Sequence, residues 1–237
     1  KSINLDAFEP LVKSCQRSGV KRFIYASSSS VYGLKKEKNI VEEMKLEPIT
    51  DYSKHKVSCE EILKKFKSEN FETVTIRPAT VCGYSKRQRL DVIVNILSNL
   101  AYHKREISTF GGKQLRPNIH IKDMLRSYLA LLKADSKKIN GKVFNAGWEN
   151  MSVNDIASSV KKNVGQDVKI INTPSNDIRS YHISSERIKN SLGFITKFTI
   201  DDAIHDLINA FDLKLFDNPL NNDLYFNIKR MQKINLK

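Results

Sequence analysis

The sequence predicts an α/β protein built on parallel strands, and three observations support this prediction. A helical pattern over residues 4–18 leads directly into the short apolar run 20–27, which suits a strand buried on both faces of a sheet. The same alternation of helix and strand continues along the chain. The 237 residues, 40% of them hydrophobic, are enough to bury a core, which excludes a disordered chain and a small disulfide scaffold.

The elements that follow have clear local signals. Residues 51–69 carry apolar side chains at helical spacing, and Pro78 closes the strand predicted at 71–77. After a further amphipathic helix, the turn Gly111–Gly112 ends a strand at 107–110. Helix and strand therefore alternate over the first half of the chain.

The second half has capping signals. Ser152 with Asp155, and Thr199 with Asp202, predict the starts of two helices. The polar, weakly periodic residues 218–237 are expected to dock or to fray. The predicted helices are 4–18, 51–69, 89–103, 122–134, 152–164 and 199–211, and the predicted strands are 20–27, 71–77, 107–110, 119–121 and 143–145.

Composition limits the location and the function class. No apolar run reaches the roughly 18–20 residues of a membrane span, and Cys15, Cys59 and Cys82 lie too far apart for a zinc or disulfide framework. We expect a cytoplasmic protein with reduced thiols, no metal and no membrane partner.

The charge raises a competing hypothesis, a binder of nucleic acid or acidic surfaces. With 40 Lys+Arg against 26 Asp+Glu the formal net charge is +14. The basic clusters fall on turns and outer helix faces without interleaved aromatic residues, and Lys outnumbers Arg 29 to 11, whereas Arg dominates contacts to base edges. We therefore expect no nucleic-acid partner, which the salt dependence of binding to duplex DNA would test.

Polar segments follow two predicted strands at their carboxyl ends, where open α/β sheets bind ligands. Residues 27–33 (SSSSVYG) follow the first strand, and residues 77–83 (RPATVCG) follow the other. Between them, Tyr52 and Lys56 start a helix four residues apart, so their side chains share one face. The order of these three features is far more specific than any one of them.

The Tyr52–Lys56 pair suits proton transfer. A phenol with a pKa near ~10 is a poor base at neutral pH, but an adjacent cation favours the phenolate and lowers that pKa. A serine hydroxyl can hold the reacting substrate oxygen beside it.

With these motifs, residues 19–33 (GVKRFIYASSSSVYG) closely resemble the extended short-chain dehydrogenases/reductases, the NAD(P)-dependent sugar-nucleotide epimerases and dehydratases. The resemblance implies the C-terminal part of a Rossmann-type doubly wound parallel sheet, with a smaller mixed α/β substrate domain interleaved. It implies Ser28 as the catalytic hydroxyl, Tyr52 as the general acid/base, and Lys56 as the residue that binds the nicotinamide ribose and tunes Tyr52. The implied cofactor is NAD or NADP, with NAD favoured, and its contacts would be Ala26, Ser27, Tyr52, Lys56, Pro78 and Ala79.

The implied substrate is a nucleotide sugar. Segments 110–116 and 177–181 resemble the family's two arginine-bearing segments, and arginine suits phosphate because its planar fork binds two oxygens. His120 and Asp123 are interpreted as structural, the first as a satisfied histidine and the second as a helix cap. The implied substrate contacts are Ser29, Ser30, Thr80, Arg116 and Arg179.

The resemblance also sets domain boundaries. Family members begin with a strand and a Gly-x-x-Gly-x-x-Gly turn that holds the cofactor pyrophosphate, and the nine glycines here include no such turn. We expect a chain that lacks about 90 N-terminal residues, roughly three βαβ units, or receives them from a second chain, and that binds NAD weakly or not at all by itself. The predicted domains are 1–84, the remainder of the Rossmann domain, and 85–237, a substrate-binding region from which about 118–145 return to the Rossmann sheet.

The residues beside Ser28 bear on the reaction. Dehydratases of the family usually place carboxylates there, whereas this chain has Ser29 and Ser30, which favours transient oxidation and reduction by an epimerase. An NAD(P)H-dependent keto-sugar reductase or a dehydratase of the same family stays an alternative, as does a non-catalytic interaction protein. Ser53 and Cys82 depart from the family pattern and leave the substrate pocket open. A homodimer is expected by analogy.

Overall fold

A computed structural model describes residues 2–35, 37, 39–174 and 182–235 and confirms the α/β class. The helices are α1 (Phe8–Arg17), α2 (Asp51–Lys64), α3 (Ile93–Lys104), α4 (Ile121–Lys133), α5 (Ser136–Ile139), α6 (Val153–Val164), α7 (Glu186–Leu192), α8 (Ile200–Asp212) and α9 (Asn227–Lys233). The strands are β1 (Arg22–Ala26), β2 (Glu72–Pro78), β3 (Thr80–Cys82), β4 (Glu106–Phe110), β5 (Leu115–His120), β6 (Lys142–Ala146), β7 (Glu149–Ser152) and β8 (Lys169–Thr173).

Two compact units divide the chain. The first comprises Lys1–Ala79, Met124–Trp148 and Arg179–Thr196, and the second comprises the intervening segments and the C-terminal part, Lys197–Lys237. The first boundary thus falls after Ala79, five residues before the predicted one, and a short segment after residue 178 also counts with the first unit.

The first unit contains a parallel sheet in the order β1–β2–β6. Aromatic and aliphatic side chains from α1, β1 and α2 form its packed cluster, which includes Phe8, Val12, Tyr25, Cys59 and Leu63. The guanidinium of Arg22 donates to the carbonyls of Leu131, Leu132 and Ala134 at the C-terminal end of α4. A cation at this position satisfies free carbonyls and complements the helix dipole, which ties α4 to the edge strand.

The second unit contains two small sheets. In one, β5 pairs in parallel with β3 and in antiparallel with β7, and in the other β4 pairs in parallel with β8. Helices α3, α6 and α8 share an apolar cluster that includes the buried thiol of Cys82. Cys82, one of the two departures from the family pattern, is therefore a core residue.

Both capping boxes predicted from the sequence are present. The side chains of Ser152 and Thr199 each accept from the N–H three residues on, and Asp155 and Asp202 bond back to the capping residues. Beyond α8 the chain docks, because Phe226 is buried in a cluster with Leu90, Leu207 and Phe211. Over the residues that the structure describes, no helix is long and apolar enough to cross a membrane.

Candidate active site

A serine-rich turn follows β1. Ser28 has an extended backbone and caps the 3₁₀ turn Ser29–Tyr32, with its Oγ accepting from Ser30 N at 3.2 Å and lying 2.9 Å from Ser30 Oγ. The turn ends at Gly33, where φ is +67° and an added Cβ would lie 2.0 Å from the carbonyl oxygen of Glu47. Only glycine fits there, so the close approach of residue 47 fixes where the turn ends.

Helix α2 positions the two other predicted catalytic groups. Its N-cap is Thr50, which forms a capping box with Ser53. Ser53, one of the departures from the family pattern, is buried and bonded to Thr50 on both its hydroxyl and its amide, so it sets the start of the helix. Tyr52 and Lys56 therefore lie on the first turns of α2, and 51% of the Tyr52 surface is exposed.

Lys56 is anchored at the carboxyl end of β1. Its Nζ donates to the carbonyl of Ala26 at 2.7 Å and lies 5.5 Å from the ring centre of Tyr52 and 5.0 Å from that of Tyr25. Burial lowers the pKa of Lys56, and the negative charge of Glu60 opposes this shift. The Lys56 ammonium therefore lies close to the Tyr52 ring, as the predicted pairing of the two residues requires.

The remaining predicted cofactor contacts also belong to the first unit. Ala79 follows β2 and donates its N–H to Ala146 O at 2.7 Å, and Pro78 is half-buried. Ser27 and Ser29 are each only 3% exposed. The hydroxyl of Ser27 donates to Glu60 Oε1 at 2.5 Å, so this side chain is engaged inside the protein.

The predicted substrate contacts are spread over the chain. Ser30 is half-buried on the serine turn, whereas Thr80 on β3 and Arg116 on β5 belong to the second unit. Arg116 donates to the carbonyl of Leu115 at 3.1 Å. Arg179 and the rest of its segment lie outside the described residues.

His120 and Asp123 have structural partners. His120 Nδ1 accepts from Lys122 N at 3.0 Å, its Nε2 lies 3.2 Å from Asp206 Oδ2, and burial lowers the pKa of the imidazole. The carboxylate of Asp123 is fully buried and accepts from the N–H groups of Lys197 and Phe198 at 2.8 and 2.9 Å. In the part of the chain described here, no cluster of three or more His, Cys, Asp or Glu side chains could hold a metal ion.

Replacing Asp123 by Ala is expected to lower the free energy of unfolding by about 1–3 kcal/mol, because two backbone donors lose a charged acceptor. Asp123→Asn keeps an oxygen at this position and should cost less. Denaturant titrations of the two variants measure the difference. Equal stability of Asp123→Ala and the unmodified protein would show that the carboxylate does not hold residues 197 and 198.

Two charged residues beneath the serine turn were missed from the sequence. Glu60 and Arg77 are 1% and 2% exposed and form a two-pronged ion pair, with Nη2–Oε2 at 2.6 Å and Nε–Oε1 at 3.0 Å. The sequence does contain a signal for Glu60, because this residue continues the four-residue spacing of Tyr52 and Lys56 and so lies on the same face of α2. Arg77 itself had no predicted partner, since it was predicted only as the last residue of the strand 71–77 and the first residue of the polar segment 77–83.

Comparison with known proteins gives a consistent set of matches. The model of the NAD dependent epimerase/dehydratase family matches residues 2–147. A Bacillus subtilis protein named as an uncharacterized UDP-glucose epimerase is 30% identical over 182 residues, which are 73% of this chain and 56% of that protein. The human dTDP-D-glucose 4,6-dehydratase is 26% identical over 222 residues, covering 88% of this chain and 61% of the relative. The chain thus spans only part of the length of these curated relatives.

A solved structure shows the same fold. The UDP-glucuronic acid 4-epimerase from Bacillus cereus, in complex with UDP-glucuronic acid and NAD, superposes with a TM-score of 0.79 at 26% identity. The match covers 90% of this chain and 68% of that one.

Proposed function

Because the chain belongs to the NAD-dependent epimerase/dehydratase family, we propose that it carries the catalytic residues of an epimerase that acts on a nucleotide-diphosphate sugar. The position of Lys56 is the main support. Its ammonium group is held at the carboxyl end of a parallel strand and lies beside the ring of Tyr52. Ser28 follows the same strand two residues after the Lys56 acceptor, Ala26.

The residues at this edge of the sheet fit the nicotinamide end of a dinucleotide. A cationic group and several hydroxyls lie where parallel strands end, which is the usual ligand edge of such sheets. NAD, when bound, supplies a reversible hydride acceptor. We propose Lys56 as the ribose contact, and as further cofactor contacts Ala26, Tyr52, Pro78, Ala79 and the main chain of Ser27, whose hydroxyl is bonded to Glu60.

Each proposed catalytic residue has a distinct task. Tyr52 removes the proton from a sugar hydroxyl as that carbon is oxidised and returns it when the carbon is reduced from its other face. The Lys56 ammonium favours the phenolate form of Tyr52 by its charge. Ser28 donates a hydrogen bond to the reacting oxygen and so holds it next to the phenol.

Epimerisation is proposed over dehydration because of the residues in the serine turn. Elimination of water calls for an extra acid/base pair, and Ser29 and Ser30 offer only hydroxyls. The buried carboxylate beneath the turn, Glu60, is already bonded to Ser27 and Arg77. A keto-sugar reductase would use the same three catalytic groups and is the alternative to be tested.

The second unit is proposed to supply the substrate-binding region. By resemblance, Thr80 and Arg116 of the second unit stay proposed substrate contacts. Ser29, Ser30 and Arg179 also stay proposed substrate contacts, with the two arginines on the diphosphate. A homodimer and a cytoplasmic location likewise stay predictions.

A product assay tests the reaction class. The full-length natural polypeptide would be incubated with NAD in three separate reactions, which contain UDP-glucose, UDP-glucuronic acid or dTDP-glucose. The products would be analysed by mass spectrometry and NMR. We expect a product of unchanged mass with one inverted carbon and no net consumption of the cofactor. Loss of the mass of one water would instead identify a dehydratase. A gain of two hydrogens by a keto-sugar nucleotide, incubated in a separate reaction with NADPH, would identify a reductase.

A further inference from the structure

A single buried carboxylate joins three segments that carry proposed site residues. Glu60 lies on α2, one turn after Lys56. Its Oε1 accepts from the hydroxyl of Ser27 at 2.5 Å and from Arg77 Nε at 3.0 Å, and its Oε2 accepts from Arg77 Nη2 at 2.6 Å. Ser27 immediately precedes Ser28, and Arg77 immediately precedes Pro78 at the end of β2.

The far end of the serine turn is held by the same network. Arg77 Nη1 donates to the hydroxyl of Tyr32 at 2.8 Å, and Tyr32 donates to Asn145 Oδ1 on β6 at 2.7 Å. The backbone N–H of Asn145 donates to Glu42 Oε1 at 2.7 Å. The turn is therefore bonded to the network at both ends, through Ser27 and through Tyr32.

Stability alone does not account for such a network. Burial disfavours the charge on Arg77, and the hydrogen bonds and charge of Glu60 outweigh this effect and raise the pKa of the guanidinium. Even when well paired, buried ions are often no more stabilising than apolar side chains of the same volume. The ion pair contributes orientation, because its hydrogen bonds fix the backbone segments that carry Ser27, Glu60 and Arg77 relative to one another.

We propose that Glu60 is a positioning residue: through Ser27 and Arg77 it fixes the Ser28 turn relative to the helix that carries Tyr52 and Lys56. This inference rests on the proposed function. Catalysis by oriented groups is sensitive to displacements near 1 Å, which can lower the rate about 100-fold. Loosening the turn is thus expected to lower turnover more than substrate binding.

The substitution Ser27→Ala tests the proposal with little risk to folding, because it removes one hydroxyl and leaves the ion pair in place. We expect kcat for the sugar nucleotide to fall about 10- to 100-fold, with KM and the dissociation constant for NAD nearly unchanged. Amide hydrogen exchange in residues 28–33 is expected to become faster. All measurements use the full-length natural polypeptide.

Ser127→Ala is the matched control. Ser127 is a fully buried serine of the first unit whose hydroxyl donates to Met124 O at 2.7 Å within its own helix, α4. The variant Ser127→Ala should lower the unfolding midpoint about as much as Ser27→Ala does. Its kcat and its amide hydrogen exchange in residues 28–33 should equal those of the unmodified protein.

The outcomes separate the two proposals. An unchanged kcat in Ser27→Ala, or a weakened affinity for NAD with kcat intact at saturation, would overturn the positioning role. If the unmodified protein converts no nucleotide sugar, the proposed function fails. Hydrogen exchange then decides the positioning role alone, and unchanged protection of residues 28–33 in Ser27→Ala would overturn it.

Discussion

Replacing Tyr52 by Phe is expected to lower the turnover of the nucleotide sugar by about 10²- to 10⁴-fold, the usual contribution of a positioned acid/base group. The substitution removes only the phenol hydroxyl and keeps the ring beside Lys56, whose ammonium lies 5.5 Å from the ring centre. The contact of Lys56 with Ala26 is also preserved. Cofactor affinity should therefore change little, which equilibrium binding of NAD to the full-length natural polypeptide measures.

Tyr102→Phe is a suitable control for this experiment. The control variant loses a hydroxyl that bonds to Asp212 within the second unit, whereas the proposed catalytic groups belong to the first unit. The turnover of Tyr102→Phe should equal that of the unmodified protein. Turnover of Tyr52→Phe within the error of this control would remove Tyr52 from the catalytic role.

The substitution Glu60→Leu is expected to destabilise the protein by about 3–5 kcal/mol, because it leaves the guanidinium of Arg77 buried without its carboxylate. The Ser27 hydroxyl also loses its acceptor. The midpoint of chemical unfolding measures the effect.

A double variant shows whether the unpaired charge is the cause. Glu60→Leu combined with Arg77→Met removes both charges and should recover much of the lost stability. Recovery stays incomplete because Tyr32 then loses its contact with Arg77. Glu9→Gln, which disrupts an exposed pair with Lys13, should leave the midpoint unchanged. A double variant no more stable than Glu60→Leu would contradict this explanation.

Local signals predicted most of the long helices and strands, but β7, β8 and α9 were not predicted. The capping boxes at Ser152 and Thr199 were predicted because a cap depends on residues three positions apart. Short strands such as β3 (Thr80–Cys82) were missed because three residues carry no periodicity, and the strand exists through its pairing with β5. The ends of long helices were also misplaced, since α2 stops at Lys64 rather than at residue 69.

The candidate site shows a similar division. The spacing of Tyr52 and Lys56 and the serine run were visible because each lies within a few residues of sequence. The bond from Ser27 to Glu60 and the pairing of Glu60 with Arg77 join positions 33 and 17 residues apart. Their partnership depends on how α2 packs on the sheet, which a single sequence does not specify.

The fate of the hydrogen on the inverted carbon tests the central claim most directly. The full-length natural polypeptide would be run to partial conversion in D₂O with NAD and the sugar nucleotide that it accepts, and the epimer examined by NMR. Because the hydrogen leaves and returns as hydride, we predict that the inverted carbon keeps its protium while Tyr52 exchanges its proton with solvent. Deuterium on the inverted carbon, or no inversion with any of the nucleotide sugars, would contradict transient oxidation and reduction at this site.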